Sequence, residues 1–233
     1  MTIANNLHSV RQQIAKAAAT SPYQQHVKLI AVSKTKPAAL VRAAYEAGQQ
    51  DFGENYLQEA IEKIQSLEAL PLTWHFIGPI QSNKTKPIAQ YFDWVHSVDR
   101  LKIASRLNEA RAESTPLNIC LQVNISHESS KSGVSLSELS DLAHQISQMP
   151  HLKLRGLMAI PAPSQDLAVQ RENFSQLAKA FQILQKQIPN APLDTLSMGM
   201  SNDLEAAILE GATYVRVGTA IFGERQLVKP ENK

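Results

Sequence analysis

The sequence predicts a single (β/α)8 barrel of parallel strands, the TIM-barrel architecture, preceded by one extra helix. Three observations carry this. Short β-branched runs alternate with helical patterns along the chain. Eight such runs follow the first helix at a mean spacing of about 27 residues, close to the roughly 30 of a βαβ unit. The 233 residues match the length of one barrel, and no Pro/Ser/Gly-rich linker divides them. A single domain over 1–233 is expected, with the helix in 1–20, the barrel over about 26–223 and a short C-terminal tail. An open doubly wound sheet is the runner-up.

The elements follow in order. Ile3, Leu7, Val10, Ile14 and Ala17 repeat at helical spacing and predict the leading amphipathic helix. Strands are expected at 27–33, 50–52, 73–77, 94–98, 118–125, 152–160, 195–198 and 214–217. Residues 37–47 open with Pro and stop at Gly48, the punctuation of a helix. Further helices are expected at 55–69, 83–90, 100–113, 136–148, 166–188 and 203–210. Ser135-Leu-Ser-Glu138 reads as a capping box for the 136–148 helix. Lys-Thr-Lys-Pro occurs at 34–37 and again at 84–87, too short an echo to establish a repeat and readable as two polar loops.

Composition excludes several classes. Lys plus Arg is 23 against 21 acidic residues, a net charge of +2, which leaves no electrostatic footprint for nucleic acid or an anionic membrane. A hydrophobic fraction of 43% excludes disorder of the whole chain. No apolar run approaches the roughly 18 residues of a membrane span, and the N-terminus does not read as a signal peptide. The single cysteine, Cys120, excludes an internal disulfide and a cysteine-based metal framework, and a cytoplasmic location is expected.

In a parallel barrel, chemistry gathers where strands end. Lys34 directly follows Leu-Ile-Ala-Val-Ser, so its stem lies against apolar walls. Desolvation there favours a neutral amine able to attack an aldehyde, although a solvated strand-end lysine is the simpler reading. Lys36 is expected to face solvent or an anion. Gly218 and Thr219 follow the last strand, and Ser201 opens the 203–210 helix. Together they suit a phosphate site, or singly a turn and an N-cap. Arg216 shares a strand face with Tyr214 and Gly218, and needs an acceptor, either in a structural ion pair or in a ligand. His75 and His96 lack a third ligand at metal spacing and read as core histidines, and Cys120 reads as buried and inert.

Ala31-Val-Ser-Lys34-Thr-Lys-Pro37, Phe52-Gly-Glu-Asn-Tyr56, Trp74-His-Phe-Ile-Gly-Pro79 and Gln81-Ser-Asn-Lys84 form an ordered motif series. It continues through Ser130-Lys-Ser-Gly133, Arg155-Gly-Leu-Met158, Leu196-Ser-Met-Gly-Met-Ser201 and Val215-Arg-Val-Gly-Thr-Ala-Ile-Phe-Gly223. The series resembles the pyridoxal phosphate homeostasis proteins, a family similar to the N-terminal barrel of alanine racemase. The resemblance implies that Lys34 carries pyridoxal 5′-phosphate (PLP) covalently as a Schiff base, and that Arg216 faces the pyridine nitrogen. It implies that Ser201, Gly218 and Thr219 hold the phosphate, with Asn55, Ile77 and Met198 lining the ring pocket. No catalytic residue and no metal are expected.

An arginine cannot accept a hydrogen bond, so the ring nitrogen opposite it stays unprotonated and is a weaker electron sink. That favours a protein that buffers or delivers the cofactor for vitamin B6 and amino-acid homeostasis, without robust catalysis. The alternative is a PLP-dependent amino-acid racemase, which needs an acid/base on each face of the α-carbon. Lys34 suits one face. The racemase's second group comes from a C-terminal domain for which about ten residues after Gly223 leave no room, so Tyr56 or Tyr214 would have to substitute. A third reading is a barrel that binds an unrelated phosphorylated metabolite without using Lys34. Expected partners are PLP and, transiently, apo PLP-dependent enzymes, with no nucleic acid and no membrane, and the chain is expected to be a monomer. Recipients, pathway and the roles of Lys36, Lys84 and Lys131 are not legible in the sequence.

Overall fold

The β-branched runs become strands β1 (Lys28–Val32), β2 (Asp51–Glu54), β3 (Thr73–Phe76), β4 (Trp94–Val98), β5 (Leu117–Gln122), β6 (Leu152–Met158), β7 (Thr195–Ser197) and β8 (Tyr214–Val217). Every neighbouring pair is parallel, and β8 returns to β1 with Lys28 opposite Tyr214 and Ala31 opposite Val217. The sheet therefore closes in the order β1 to β8, which selects the barrel over the open sheet. These observations come from a computed structural model that describes residues 2–126 and 132–224. Ser130 and Lys131 of one quoted motif, and the tail beyond Glu224, lie outside the described residues.

The helices are α1 (Ile3–Thr20), α2 (Ala38–Glu46), α3 (Leu57–Ser66), α4 (Thr85–Tyr91), α5 (Leu101–Ala110), α6 (Leu139–Ser147), α7 (Leu167–Gln187), α8 (Leu204–Leu209) and α9 (Thr219–Phe222). The apolar stripe of α1 is buried at Leu7, Val10, Ile14 and Ala17, and Asn6 Nδ2 donates to Ile221 O of α9 at 2.9 Å. The leading helix thus covers the seam where the barrel closes. Helix α2 ends in two bonds, Gly48 N–H to Tyr45 O (2.7 Å) and Gln49 N–H to Ala44 O (3.0 Å). Gly48 sits at φ +84°, the left-handed conformation this ending requires.

Three local expectations change. Ser135 and Glu138 do bond, with Ser135 Oγ donating to Glu138 Oε2 at 2.5 Å, but they close a turn and α6 starts only at Leu139. The second Lys-Thr-Lys-Pro is no loop. It runs into α4 at Thr85, where Pro87 is tolerated because first-turn N–H groups lack helical partners. Helix α3 starts at Leu57 rather than 55, because Tyr56 is extended (φ −115°, ψ 112°), which leaves Asn55 at the strand end.

Alternation sorts the strand side chains into two layers. Ala31, Phe52, Val95, Leu121, Leu157, Leu196 and Val215 face the helices in one large apolar cluster. Ile30, Trp94, Cys120, Met158 and Tyr214 form a separate cluster in the lumen. His75 and His96 are fully buried among them, their rings packed on Trp94 and Tyr214 at centroid distances of 5.4–6.0 Å.

Candidate functional site

The strand that precedes Lys34 ends at Val32, and the chain then leaves the barrel through a tight turn in which Thr35 adopts φ +63°. A non-glycine residue there is strained, so something must hold it. The holder is a charged cluster from β2 and α3. Glu54, fully buried, accepts from Ser33 Oγ at 2.6 Å and from Lys63 Nζ at 2.8 Å through Oε1. Lys63 Nζ also donates to Ser33 O (2.7 Å) and to Glu59 Oε1 (2.5 Å). Glu59 Oε1 in turn accepts the N–H of Thr35 at 2.6 Å. The residues on both sides of Lys34 are thereby tied to two neighbouring elements. Burial pushes the Glu54 carboxyl up from its usual range, against the opposing pull of Lys63 and Ser33. This clamp was not legible in the sequence. Its trace was the Glu59/Lys63 pair at helical i,i+4 spacing, which more often marks a solvated helix face.

Across the closing seam, β8 delivers Arg216 into the lumen. Its Nη1 donates to Ser197 O (2.8 Å) and Ser197 Oγ (2.6 Å), and Nη2 to Ala159 O (3.1 Å). Its acceptors are carbonyl and hydroxyl oxygens, and no described carboxylate lies within ion-pair distance of it. Burial therefore pushes the guanidinium down to about 10, still charged at neutral pH. Gly218, two residues on, lies against β1: a Cβ there would stand 3.2 Å from Val32 O. Glycine is what lets the end of β8 pack this closely on the end of β1. Thr219 is exposed at the first turn of α9. Lys36 Nζ reaches over to Glu224 O at 2.6 Å, tying the loops after β1 and β8.

The other residues singled out in the sequence divide. Asn55 follows β2, and its Oδ1 is buried and unbonded among the described residues. Ile77 follows β3 and stands with Ile30 over Gly53, inside the lumen. Met198 is fully buried, one residue past lumen-facing Ser197, so its side chain belongs to the outer apolar cluster and its main chain is what the strand end presents. Ser201 is exposed in the turn after β7. It does not cap α8: Asp203 holds the N-cap position without a side-chain cap bond, and its Oδ1 instead accepts from Met200 N–H at 2.6 Å within the preceding turn. Ser201 lines a groove with Gln13 and Lys16 of α1. Lys84 is exposed.

Tyr214 is corrected. It is the first residue of β8 and lines a cavity at the N-terminal ends of the strands with Lys28 and Asp51, the barrel end opposite Lys34. Of the two tyrosines considered, only Tyr56, half-exposed beside Asn55, lies at the strand C-termini. Cys120 is fully buried, and its thiol is pushed well up by desolvation. Among the described residues no group of three or more His, Cys, Asp and Glu could hold a metal ion, and no helix is long and apolar enough to cross a membrane.

A closed parallel barrel with a strand-end lysine and a buried lumen arginine across the β1/β8 seam defines a class, that of the alanine racemase N-terminal domain, whose family model matches residues 5–226. Within it the chain belongs to the pyridoxal phosphate homeostasis protein family. It is 58% identical over 231 residues to the member from Pseudomonas aeruginosa, covering 98% of each chain. It is 52% identical over 234 residues to that from Escherichia coli, covering 97% of this chain and 98% of the relative. Among solved structures, PipY of Synechococcus elongatus with PLP bound superposes with a TM-score of 0.85 at 42% identity, over 95% of this chain and all of that one. Alanine racemase from Corynebacterium glutamicum superposes with a TM-score of 0.70 at 16% identity, over 95% of this chain and 61% of that one, a likeness of fold.

Proposed function

We propose that this protein binds pyridoxal 5′-phosphate at the C-terminal mouth of its barrel, covalently at Lys34, and buffers or delivers it without robust catalysis of its own. The observation that carries the reading is the β1/β8 seam, where the end of β1, two residues before Lys34, packs on Gly218, between Arg216 and Thr219. The relatives' name and the PLP bound in PipY support it.

The residues suit the group. Asn55 Oδ1, buried without a partner among the described residues, is an acceptor awaiting a donor, which a phenol or water at the mouth supplies. The backbone at Gly218 is bare enough for a phosphate to approach, and the Thr219 hydroxyl can donate to it. Ser201 would join them from the turn after β7, and Ile77 with the Met198 main chain would flank the ring. When bound, PLP supplies an electrophilic aldehyde and an electron sink whose strength depends on its ring nitrogen. Arg216, donor-only and charged, would hold that nitrogen unprotonated and so restrain carbanion chemistry. Tyr214, at the far end of the lumen, supports the non-catalytic reading over a two-base racemase. The one buried cysteine suits a cytoplasmic, reducing location. Apo PLP-dependent enzymes are the proposed recipients, and the protein acts as a single-domain monomer.

Borohydride reduction of the PLP-loaded protein followed by peptide mass mapping tests the reading. The label is expected on Lys34 and is lost, with the near-visible absorbance, in Lys34→Ala. Labelling of Lys36 or Lys84 with Lys34 spared overturns the assignment. Solvent deuterium entering an amino acid's α-position with inversion, at about 1 s⁻¹ or faster, overturns the non-catalytic part in favour of the racemase, with Tyr56 as the second group.

A further inference from the structure

Five polar side chains from five strands cross the lumen in one unbroken chain. Asp51 Oδ1 of β2 lies 2.9 Å from His75 Nε2 of β3. His75 Nδ1 lies 2.9 Å from His96 Nε2 of β4. His96 Nδ1 lies 2.8 Å from Ser197 Oγ of β7, and Ser197 Oγ lies 2.6 Å from Arg216 Nη1 of β8. The middle three residues are buried, and so is Arg216. Asp51 is partly exposed and lines the cavity of about 660 Å³ at the opposite end of the barrel.

The proton positions along this chain follow from its two ends. A guanidinium only donates, so Ser197 Oγ accepts from Arg216 and keeps its own hydrogen available for His96 Nδ1. A carboxylate only accepts, so His75 Nε2 carries a hydrogen. Desolvation holds both imidazoles below their ordinary range, His96 further through its charged and imidazole neighbours, so each ring has one hydrogen. His75 Nδ1 is then an acceptor and His96 Nε2 its donor. The anion end sets this direction and the cation end fits it: every donor points from the cation toward the anion. Such a chain is cooperative, each bond polarising the next.

We propose that Asp51 is a positioning residue for Arg216, acting through His75, His96 and Ser197. Its negative charge at the barrel floor selects the Nε2–H form of both histidines, and so fixes which Arg216 hydrogens are spent inside the lumen and which remain for a ligand at the mouth. The floor of the barrel, a face usually given over to stability, is coupled to the ligand end. The proton arrangement is a property of the ligand-free protein. Its effect on PLP rests on the function proposed above.

The test uses the full chain labelled with ¹⁵N-histidine and ¹⁵N-arginine, ligand-free at neutral pH. Nε2–H signatures are expected for both His75 and His96. In Asp51→Asn the His96 and Arg216 resonances are expected to shift, although neither residue touches position 51. In Ser197→Ala, which cuts the chain beside Arg216, the same Asp51→Asn change is expected to leave Arg216 unmoved. An Nδ1–H form of either histidine in the parent protein, or His96 and Arg216 unmoved by Asp51→Asn, overturns the proposal. Titration with PLP adds a second readout. Asp51→Asn should weaken binding by roughly 5-fold or more and move the absorbance maximum, with borohydride labelling still on Lys34. Binding and spectrum equal to those of the parent count against the coupling. A parent protein that takes up no PLP overturns the function reading, while the ligand-free spectra still decide the chain.

Discussion

Lys63 Nζ donates to the main-chain oxygen of Ser33 at 2.7 Å, so a helix side chain holds the backbone one residue ahead of Lys34. The same ammonium neutralises Glu54, buried beneath the turn. One group therefore serves both the stability of the β1/β2/α3 corner and the placement of the proposed attachment lysine.

Lys63→Met should expose this double role. Removing one partner of a buried pair leaves the other uncompensated, and the cost is about 3–5 kcal/mol. A urea titration should show a midpoint well below that of the parent, and Glu54→Gln in the same chain should recover part of the loss. PLP uptake should slow in the single variant as the Ser33–Thr35 turn loosens. An unchanged midpoint would show that the pair contributes nothing.

Thr219→Ala removes one hydroxyl from the proposed phosphate site. A charge-assisted hydrogen bond contributes about 1.5–3 kcal/mol, so PLP affinity should fall roughly 10- to 150-fold. Pyridoxal, which lacks the phosphate, should be indifferent to the substitution. Equal sensitivity of both ligands, measured by absorbance titration, removes Thr219 from the phosphate site.

The buried histidines predict a direction for stability against pH. His75 and His96 are held below the ordinary imidazole value of 6.5, chiefly by desolvation, with Asp51 pulling His75 the other way. Below that value the unfolded chain binds protons that the folded chain refuses. Their contribution is fully present above pH 6.5 and declines as pH falls, by up to about 1.4 kcal/mol per pH unit for each ring. Glu54, raised by burial, acts with the opposite sign, its contribution being lost as pH rises above the ordinary carboxyl value of 4.5. The informative quantity is thus the difference in pH slope between the parent and His96→Asn between pH 7.5 and 5.5. The parent should be steeper, and equal slopes would falsify a neutral His96.

Cys120 should ignore thiol reagents in the native protein. It is fully buried, and desolvation disfavours its thiolate. Modification should wait for opening of the barrel, so its rate should rise with urea in step with unfolding. Rapid labelling without denaturant would show access to the lumen that its packing denies.

Much of the fold was legible because its signals are local. β-branched runs, Pro37 and Gly48 around α2, and the stripe on α1 each depend on residues a few positions apart. The places of Lys34 just past β1 and of Arg216 within β8 were legible for the same reason, since a polar residue next to or within an apolar run announces itself in one line of sequence. The capping box at Ser135 and the second Lys-Thr-Lys-Pro misled for the converse reason. A short pattern is compatible with a turn, a loop or a helix start, and packing decides among them.

The sequence by itself determined the number of strands, their parallel sense and the residues placed where strands end, because alternation and periodicity are written along the chain. Only the tertiary structure decided what meets across it. Closure set β8 against β1, which put Gly218 on Val32, and the β2/α3 corner aimed Lys63 and Glu54 at Ser33. The stagger of the strands sent Tyr214 to the floor and strung Asp51, His75, His96, Ser197 and Arg216 into one chain. Those contacts join residues up to 165 positions apart, the distance from Asp51 to Arg216 in the sequence. Their geometry follows from the shear of a closed barrel, a property of the whole sheet that no single segment encodes.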